Sequence, residues 1–282
     1  MSKVAIVTDS TAYIPKKLVV EYGISVAPQI LIWGDENYRD GVDIQPKEFY
    51  ERLKSAKTMP SSSQVTPKSF IDIFKGLLEH DHQVLAILLS SDLSGTIASA
   101  IQAKDIFPGA PIEIVDSRTT AMAMGYITLI AARAIEGGAT LAEAKELAEK
   151  AKDNVGVVFA VDTLEFLYRG GRIGGGSRFL GTALNIKPIL EVTGGKVEGI
   201  EKVRTRSKSL TRVVDIIGER IAGRTPVRLA TLHANDEEDA KILLNEATER
   251  FHPVESILAG VSPVVGTHAG PGTVGLAFMA GI

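Results

Sequence analysis

Two stretches of hydroxyl side chains have residue types that can bind an anion. In SSDLSGTIASA, residues 90–100, Ser94, Gly95 and Thr96 fall where a predicted helix begins. The free N–H groups at the start of a helix, joined by hydroxyl groups, form a site for an anion. A hydroxyl at this position is also typical of a plain helix cap, and this segment alone favours the cap.

The second hydroxyl stretch is PSSSQVTP, residues 60–67, with Ser62 and Ser63 at its centre. By itself it is typical of an ordinary loop before a helix that begins at Pro67. A carboxylate held between this loop and the Ser94 loop would be chemically coherent. The sequence does not show whether the two loops meet.

A third stretch, GTHAGPGTVG, has the G-x-G-x-x-G spacing of a dinucleotide-binding loop at Gly270, Gly272 and Gly275. That loop must follow a strand and open a helix within a βαβ unit. Only seven residues follow Gly275, too few for that helix and the next strand. The glycines therefore predict a tight turn or a close backbone approach. His268 beside them could offer a proton or a positive charge to a carboxylate.

Other chemistries have weaker support. Asp9, Asp116 and His268 keep open a hydrolase or phosphatase, the alternative function. No G-x-S-x-G or P-loop motif accompanies them. The chain has no cysteine, which excludes thiolate nucleophiles and cysteine-ligated metals. His80 and His82 are typical of a solvated helix end, so we predict no metal site.

The elements that position these residues indicate the α/β class. Short apolar segments alternate with helical patterns in the first half, which predicts a parallel sheet covered on both faces. We predict two domains: a parallel-sheet α/β domain over residues 1–161 and a smaller α+β domain over residues 162–272. The last strand, 273–282, is expected to return to the first domain.

Composition narrows the class of partner. Of the 282 residues, 45% are hydrophobic and 23% are charged, and the formal net charge is −3. No overall basic field would recruit nucleic acid, and no apolar stretch approaches the roughly 20 residues that span a bilayer. We therefore expect a soluble cytoplasmic protein without nucleic-acid partners or a transmembrane segment.

Taken in order and spacing, seven segments of the chain resemble the DegV family, which includes bacterial fatty-acid-binding subunits of fatty acid kinase. The resemblance covers essentially the whole length. The segments are TDSTA (8–12), SSQVTP (62–67), LSSDLSGTIASA (89–100), VDS (115–117), LYRGGRI (167–173), KPIL (187–190) and HAGPGTVG (268–275).

The resemblance implies a long-chain fatty acid in a tunnel between the two domains, with no cofactor. It also implies that the fatty-acid carboxylate is held by the hydroxyls of Ser62 and Ser94 and by His268. The supporting neighbours are Ser63, Gly95 and Thr96. The family usually has threonine, serine, glutamine and proline in the Ser62 loop, whereas this chain has Ser62-Ser63-Gln64-Val65, which keeps the hydroxyl and loses a methyl group.

The resemblance further implies a non-catalytic carrier. A separate fatty acid kinase subunit would phosphorylate the bound carboxylate for phospholipid synthesis, and Arg172 is the expected contact with that partner or with the phosphate. Transient contact with a membrane surface is compatible with this role. A lipid-sensing regulator that acts through its basic residues is a third alternative. The first basic run comprises Arg169, Arg172, Arg178 and Lys187, and the second comprises Arg204, Arg206, Lys208 and Arg212.

Overall fold

The structure is a computed structural model that describes residues 3–179 and 186–282. Residues 180–185, which belong to the predicted second domain, lie outside the described part. Within these bounds no helix is both long and apolar enough to cross a membrane.

The strands, in chain order, are β1 (Val4–Asp9), β2 (Ser25–Ala27), β3 (Ile30–Trp33), β4 (Glu36–Arg39), β5 (Ser61–Ser63), β6 (Gln83–Leu88), β7 (Ile112–Asp116), β8 (Val155–Ala160), β9 (Lys187–Thr193), β10 (Lys196–Val203), β11 (Val227–His233), β12 (Glu255–Ile257) and β13 (Val274–Ala280). The helices are α1 (Lys16–Glu21), α2 (Pro46–Lys54), α3 (Pro67–Leu78), α4 (Thr96–Lys104), α5 (Ala121–Glu136), α6 (Leu141–Ala151), α7 (Glu165–Arg169), α8 (Arg206–Ile221), α9 (Glu237–Phe251) and α10 (Pro263–Ala269).

Four strands form the parallel sheet that the sequence predicts, in the order β2-β1-β6-β7. The two central strands, β1 and β6, are mostly apolar and buried because both faces of the sheet are covered there. Helices α3 and α4 pack on one face, and α5 and α6 pack on the other. Helix α3 begins at Pro67 as predicted, and the Thr66 hydroxyl caps it by accepting from the N–H of Ser69.

A six-stranded sheet has the order β10-β9-β8-β13-β11-β12, in which only β11 and β12 pair in parallel. The segment KPILEVTGGKVEGIEKVRT predicts a hairpin with Gly194-Gly195 at its turn. Strands β9 and β10 form this hairpin, and both glycines have positive φ. Strand β13 lies between β8 and β11 in this sheet, and its expected return to the first domain stays a prediction. All seven residues of β13 are buried, and such an apolar strand suits the centre of either sheet.

The division of the chain at residue 161 stays a prediction. Strand β8, which that division assigns to the first domain, pairs with β9 and β13 in the six-stranded sheet. Pairing partners of this kind are set by contacts across the chain, which the local pattern of residues 155–160 does not contain.

A three-stranded antiparallel sheet, in the order β4-β3-β5, carries the second hydroxyl stretch, residues 60–67. The sequence predicts one strand from Ser25 to Trp33, and the structure divides it into β2 and β3, which belong to different sheets. Pro28 lies at the break, where its missing N–H cannot continue a ladder. Leu31 of β3 is the ladder partner of Ser62 in β5, which fixes the position of that hydroxyl.

Helix α5 packs against both large sheets and is buried from Ala121 to Leu129, as its apolar sequence predicts. Its close approach to the chain after β1 depends on Gly125. A Cβ atom at this position would lie 2.6 Å from the carbonyl oxygen of Ala12, which only glycine avoids. The helix therefore joins the two sheets at the level of the loops that follow β1 and β7.

Candidate functional site

A cavity of about 100 Å³ lies where the carboxyl end of the parallel sheet faces the six-stranded sheet. By the same measure one water needs roughly 10–15 Å³, so the cavity is much larger than a water site. Most of its wall is apolar. The six-stranded sheet and the chain after it contribute Val157, Phe159, Val192, Val197, Leu232 and Val261.

Ser62, Ser94 and His268 all line this cavity. The Ser62 Oγ and His268 Nε2 atoms are 2.6 Å apart, although 206 positions separate the two residues in the chain. Ser63 belongs to the same wall. The structure thus brings the two hydroxyl loops and the histidine to one cavity, while their role in holding a carboxylate stays a prediction.

The Ser94 loop follows β6 and leads into α4. The Ser94 Oγ atom lies 2.9 Å from Thr96 Oγ1 and accepts from the N–H of Thr96 at 3.3 Å. The N-cap residue of α4 is Gly95, so Ser94 stands one position before the cap, where its hydroxyl accepts from one N–H at the helix start and the residue lines the cavity. Gly95 lies against Gln64, because a Cβ atom there would be 3.2 Å from the Gln64 side chain. Gly95 thereby links the two hydroxyl loops.

Gln29 is a cavity residue that sequence reasoning missed. It is 2% exposed, and its Nε2 donates to Thr96 Oγ1 at 3.0 Å. Thr120 was missed as well: the residue lines the cavity, and its buried Oγ1 has no hydrogen-bond partner within residues 3–179 and 186–282. No local motif marks either residue, because each reaches the cavity through the meeting of distant loops.

His268 lies in the last turn of α10. Burial of the imidazole, followed by the nearby positive charge of Arg172, lowers the pKa of His268 to about 4. The imidazole is therefore neutral at pH 7, and the positive charge that the sequence suggested is absent. A neutral His268 offers a hydrogen bond, and its contact with Ser62 orients that hydroxyl group.

Gly170 packs against the imidazole of His268. A Cβ atom at Gly170 would lie 2.1 Å from His268 Nδ1 and 3.1 Å from the carbonyl oxygen of Phe166. The Nδ1 atom is buried and has no hydrogen-bond partner in the described part of the chain. Helix α7, which ends beside Gly170, packs on α10. The first glycine of the LYRGGRI segment therefore leaves the space that the imidazole occupies.

Arg172 also lines the cavity. Its Nε donates to the carbonyl of Leu93 at 3.1 Å, and its Nη1 donates to the carbonyl of Gly170 at 2.6 Å. The guanidinium group thus connects the Ser94 loop with the glycine that supports His268. Its predicted contact with a partner or a phosphate stays a prediction.

The residues of the alternative hydrolase do not share a site. The Asp9 carboxylate is buried behind the cavity wall, where it accepts from the N–H and hydroxyl of Thr11 and from the N–H of Leu89. Asp116 lies on the rim and accepts from the Ser91 hydroxyl at 2.6 Å. Neither aspartate belongs to the cavity lining that contains His268.

Two cations of the second basic run and one of the two histidines near residue 80 have local partners. Arg206 forms ion pairs with Asp236 and Asp239, and Arg212 pairs with Glu201, so these two cations of the second basic run are engaged within the fold. His80 Nδ1 lies 2.8 Å from the carbonyl oxygen of Gly76, at a helix end as predicted. No group of three or more potential metal ligands occurs among the described residues.

Comparison with known proteins identifies the class. A model of the DegV family matches residues 3–281. Protein DegV of Bacillus subtilis (strain 168) is 35% identical over 275 residues, which cover 97% of this chain and 98% of that protein. The chain therefore belongs to the DegV family.

Two solved structures have the same fold over nearly their full length. A DegV family protein from Thermus thermophilus, described by its fatty acid binding, has a TM-score of 0.93 at 32% identity and covers 99% of both chains. DegV from Bacillus subtilis, described as a fatty acid binding protein, has a TM-score of 0.90 at 32% identity and covers 99% of this chain and 100% of that one.

Proposed function

We propose that this protein binds a long-chain fatty acid, with the acyl chain in the apolar part of the cavity and the carboxylate at its polar end. The observation that carries the proposal is that Ser62, Ser94 and His268 line one mostly apolar cavity, in which Ser62 Oγ lies 2.6 Å from His268 Nε2. Fatty acid binding by the two related proteins of known structure supports it.

The apolar wall supplies the affinity. About 15 methylene groups, each contributing about 0.8 kcal/mol on transfer from water, would gain roughly 12 kcal/mol. The cost of ordering the ligand reduces this figure. No covalent bond is needed for a stable complex, and the direction of the chain is set by where the carboxylate finds its hydrogen bonds.

The polar end suits a carboxylate because a cation, Arg172, lies near its hydrogen-bond donors. A buried carboxylate without hydrogen bonds is costly. The Ser62 and Ser94 hydroxyls can donate to it, and Arg172 lies close enough to lower the pKa of His268 through its charge. The same charge stabilises a bound carboxylate, and the neutral imidazole fixes the Ser62 hydroxyl.

We further propose that the protein acts in the cytoplasm as a non-catalytic carrier that presents the carboxylate to a separate fatty acid kinase subunit. The acyl phosphate formed there would enter phospholipid synthesis. The position of Arg172 supports this step. An acyl phosphate carries two negative charges where the carboxylate carries one, and the Arg172 guanidinium group would stabilise the added charge.

Replacing Ser94 with alanine tests the polar end. We expect Ser94→Ala to weaken oleate and palmitate binding about tenfold, the size of one lost hydrogen bond to a charged group. Isothermal titration with each fatty acid measures the change. Ser256→Ala is the matched control, because Ser256 is exposed and lies outside the cavity lining.

Unchanged affinity in Ser94→Ala would remove Ser94 from the site. The same pair of variants, loaded with oleate and mixed with ATP and a fatty acid kinase subunit, tests presentation. Hydroxylamine converts an acyl phosphate into a hydroxamate that mass spectrometry detects. Absence of hydroxamate with wild-type protein, at a ligand occupancy shown to be full, would contradict the carrier role.

A further inference from the structure

Helix α10, which carries His268, is held at its beginning by a carboxylate from a distant loop. Asp40 follows β4 and is 2% exposed. Its Oδ1 accepts from the N–H of Val264 in the first turn of α10 at 3.2 Å, and its Oδ2 accepts from the Ser10 hydroxyl at 2.7 Å. Asp40 thus connects the loop after β1 with the helix that forms one cavity wall.

The groups around Asp40 are hydroxyls and one further acid. Ser262 hydrogen-bonds to the carboxylate, and its Oγ lies 3.3 Å from the hydroxyl of Tyr13. Tyr50 faces the same charge from α2, and Asp9 faces it from β1. Among the residues that the structure describes, no cation forms an ion pair with Asp40.

Such a buried charge is unfavourable for the fold by itself. Burial raises the pKa of Asp40 to about 6, the hydrogen bonds from Ser262, Ser10 and the Val264 N–H oppose this, and the charge of Asp9 adds to it. Because the folded pKa lies above the unfolded one, this group stabilises the fold as pH falls from about 7 to about 5. Ionisation of Asp40 at neutral pH therefore lowers the stability of the fold, so stability does not account for this buried charge.

We propose that Asp40 is a positioning residue for the carboxylate end of the cavity: its ionised side chain anchors the start of α10 and so holds His268 against Ser62. The path is continuous, because α10 runs from the Val264 N–H to His268 within two turns, and His268 Nε2 meets Ser62 Oγ. This inference rests on the proposed fatty acid site.

A pH dependence of binding follows. As pH falls through about 6, Asp40 gains a proton and its hydrogen bond to the start of α10 weakens. The affinity for a fatty acid therefore decreases, whereas the stability of the fold does not. His268 stays neutral over this interval, because its own pKa is lowered to about 4. Protonation of the imidazole therefore does not cause the loss of affinity between about pH 7.5 and about pH 5.5.

The test compares Asp40→Asn with wild type and with Asp43→Asn. Asp43 lies in the same loop, bonds to Arg39 and has a pKa lowered to about 2 by that arginine, so its charge does not change in this interval. Oleate affinity and thermal unfolding are measured between about pH 5.5 and about pH 7.5. Ionisation of oleate itself is common to all three proteins.

We expect wild type and Asp43→Asn to lose roughly tenfold in affinity from the higher to the lower pH, the effect of weakening one hydrogen bond to a charged group. Asp40→Asn should bind at the higher pH about as weakly as wild type does at the lower pH, with a nearly flat profile. Its unfolding temperature at neutral pH should be equal or higher. A wild-type pH profile in Asp40→Asn would overturn the proposal.

A second readout needs neither a variant nor a ligand. The imidazole ¹⁵N resonances of His268 in the wild-type protein should shift between about pH 7.5 and about pH 5.5 as Asp40 gains its proton. Resonances that stay constant over this range would contradict the positioning role even if oleate binds. Failure of all three proteins to bind oleate, together with the expected shift, would instead reject the proposed function and keep the link between Asp40 and His268.

Discussion

Gly170→Ala is expected to weaken fatty acid binding by about a hundredfold. The added Cβ would lie 2.1 Å from His268 Nδ1, so the imidazole must leave its place against Ser62. Overpacking of this kind lowers stability by about 1–3 kcal/mol. The displaced imidazole no longer holds the Ser62 hydroxyl toward the carboxylate, and loss of one hydrogen bond to a charged group, up to about 3 kcal/mol, corresponds to roughly a hundredfold change in affinity. The loss should appear in the dissociation constants of oleate and palmitate measured by isothermal titration.

Gly76→Ala is the matched control, because a Cβ atom there meets nothing within 4 Å inside α3. Alanine at that position should keep wild-type affinity and raise stability by up to about 1 kcal/mol. If Gly170→Ala folds and binds oleate as tightly as wild type, His268 does not need its observed position for binding.

Filling the apolar part of the cavity is expected to have an effect of similar size. Val261 is 1% exposed and lines the cavity. In Val261→Trp, an indole that displaces about four methylene groups of the acyl chain would remove roughly 3 kcal/mol, about a hundredfold in affinity. Titration with oleate and with shorter saturated acids measures the loss, which should be smaller for the shorter chains.

Val254→Trp is the control for this substitution, since Val254 is 67% exposed and lies outside the cavity lining. Val157→Phe, at another residue of the cavity lining, provides a smaller obstruction if the tryptophan variant does not fold. A folded variant of either kind with wild-type affinity for oleate would show that the acyl chain lies elsewhere.

The sequence predicted helices and turns best where neighbouring residues determine them. The paired glycines of the β9–β10 hairpin, the proline at the start of α3 and the apolar length of α5 all have their predicted structures. Each depends on backbone freedom or burial that neighbouring residues already determine.

Strand partners were predicted less well. The apolar pattern of β13 predicts burial but contains no information on whether β1, β8 or β11 lies beside it. The division between β2 and β3 arises where Pro28 interrupts a single apolar segment. Both features are determined by contacts between distant parts of the chain, which no window of sequence contains.

The candidate site shows the same limit. Residue types marked Ser94 and His268 as potential ligands, but only the fold brings Ser62 within 2.6 Å of the imidazole. Of the glycines in the last motif, Gly270 and Gly272 have positive φ, and Gly275 lies within β13 with Val158 O 2.4 Å from where its Cβ would be. Their spacing thus serves a turn and close packing, as predicted, and Gly275 lies in a strand where a dinucleotide-binding loop would open a helix.

The most direct test of fatty acid binding is mass spectrometry of the purified protein, first in its native state and then after extraction with organic solvent. The proposed function predicts a mass excess equal to one long-chain fatty acid per chain, and the free acid in the extract. The excess should be absent or much reduced in Val261→Trp. Wild-type protein that carries no acyl chain, even after incubation with oleate and palmitate, would contradict the proposed function.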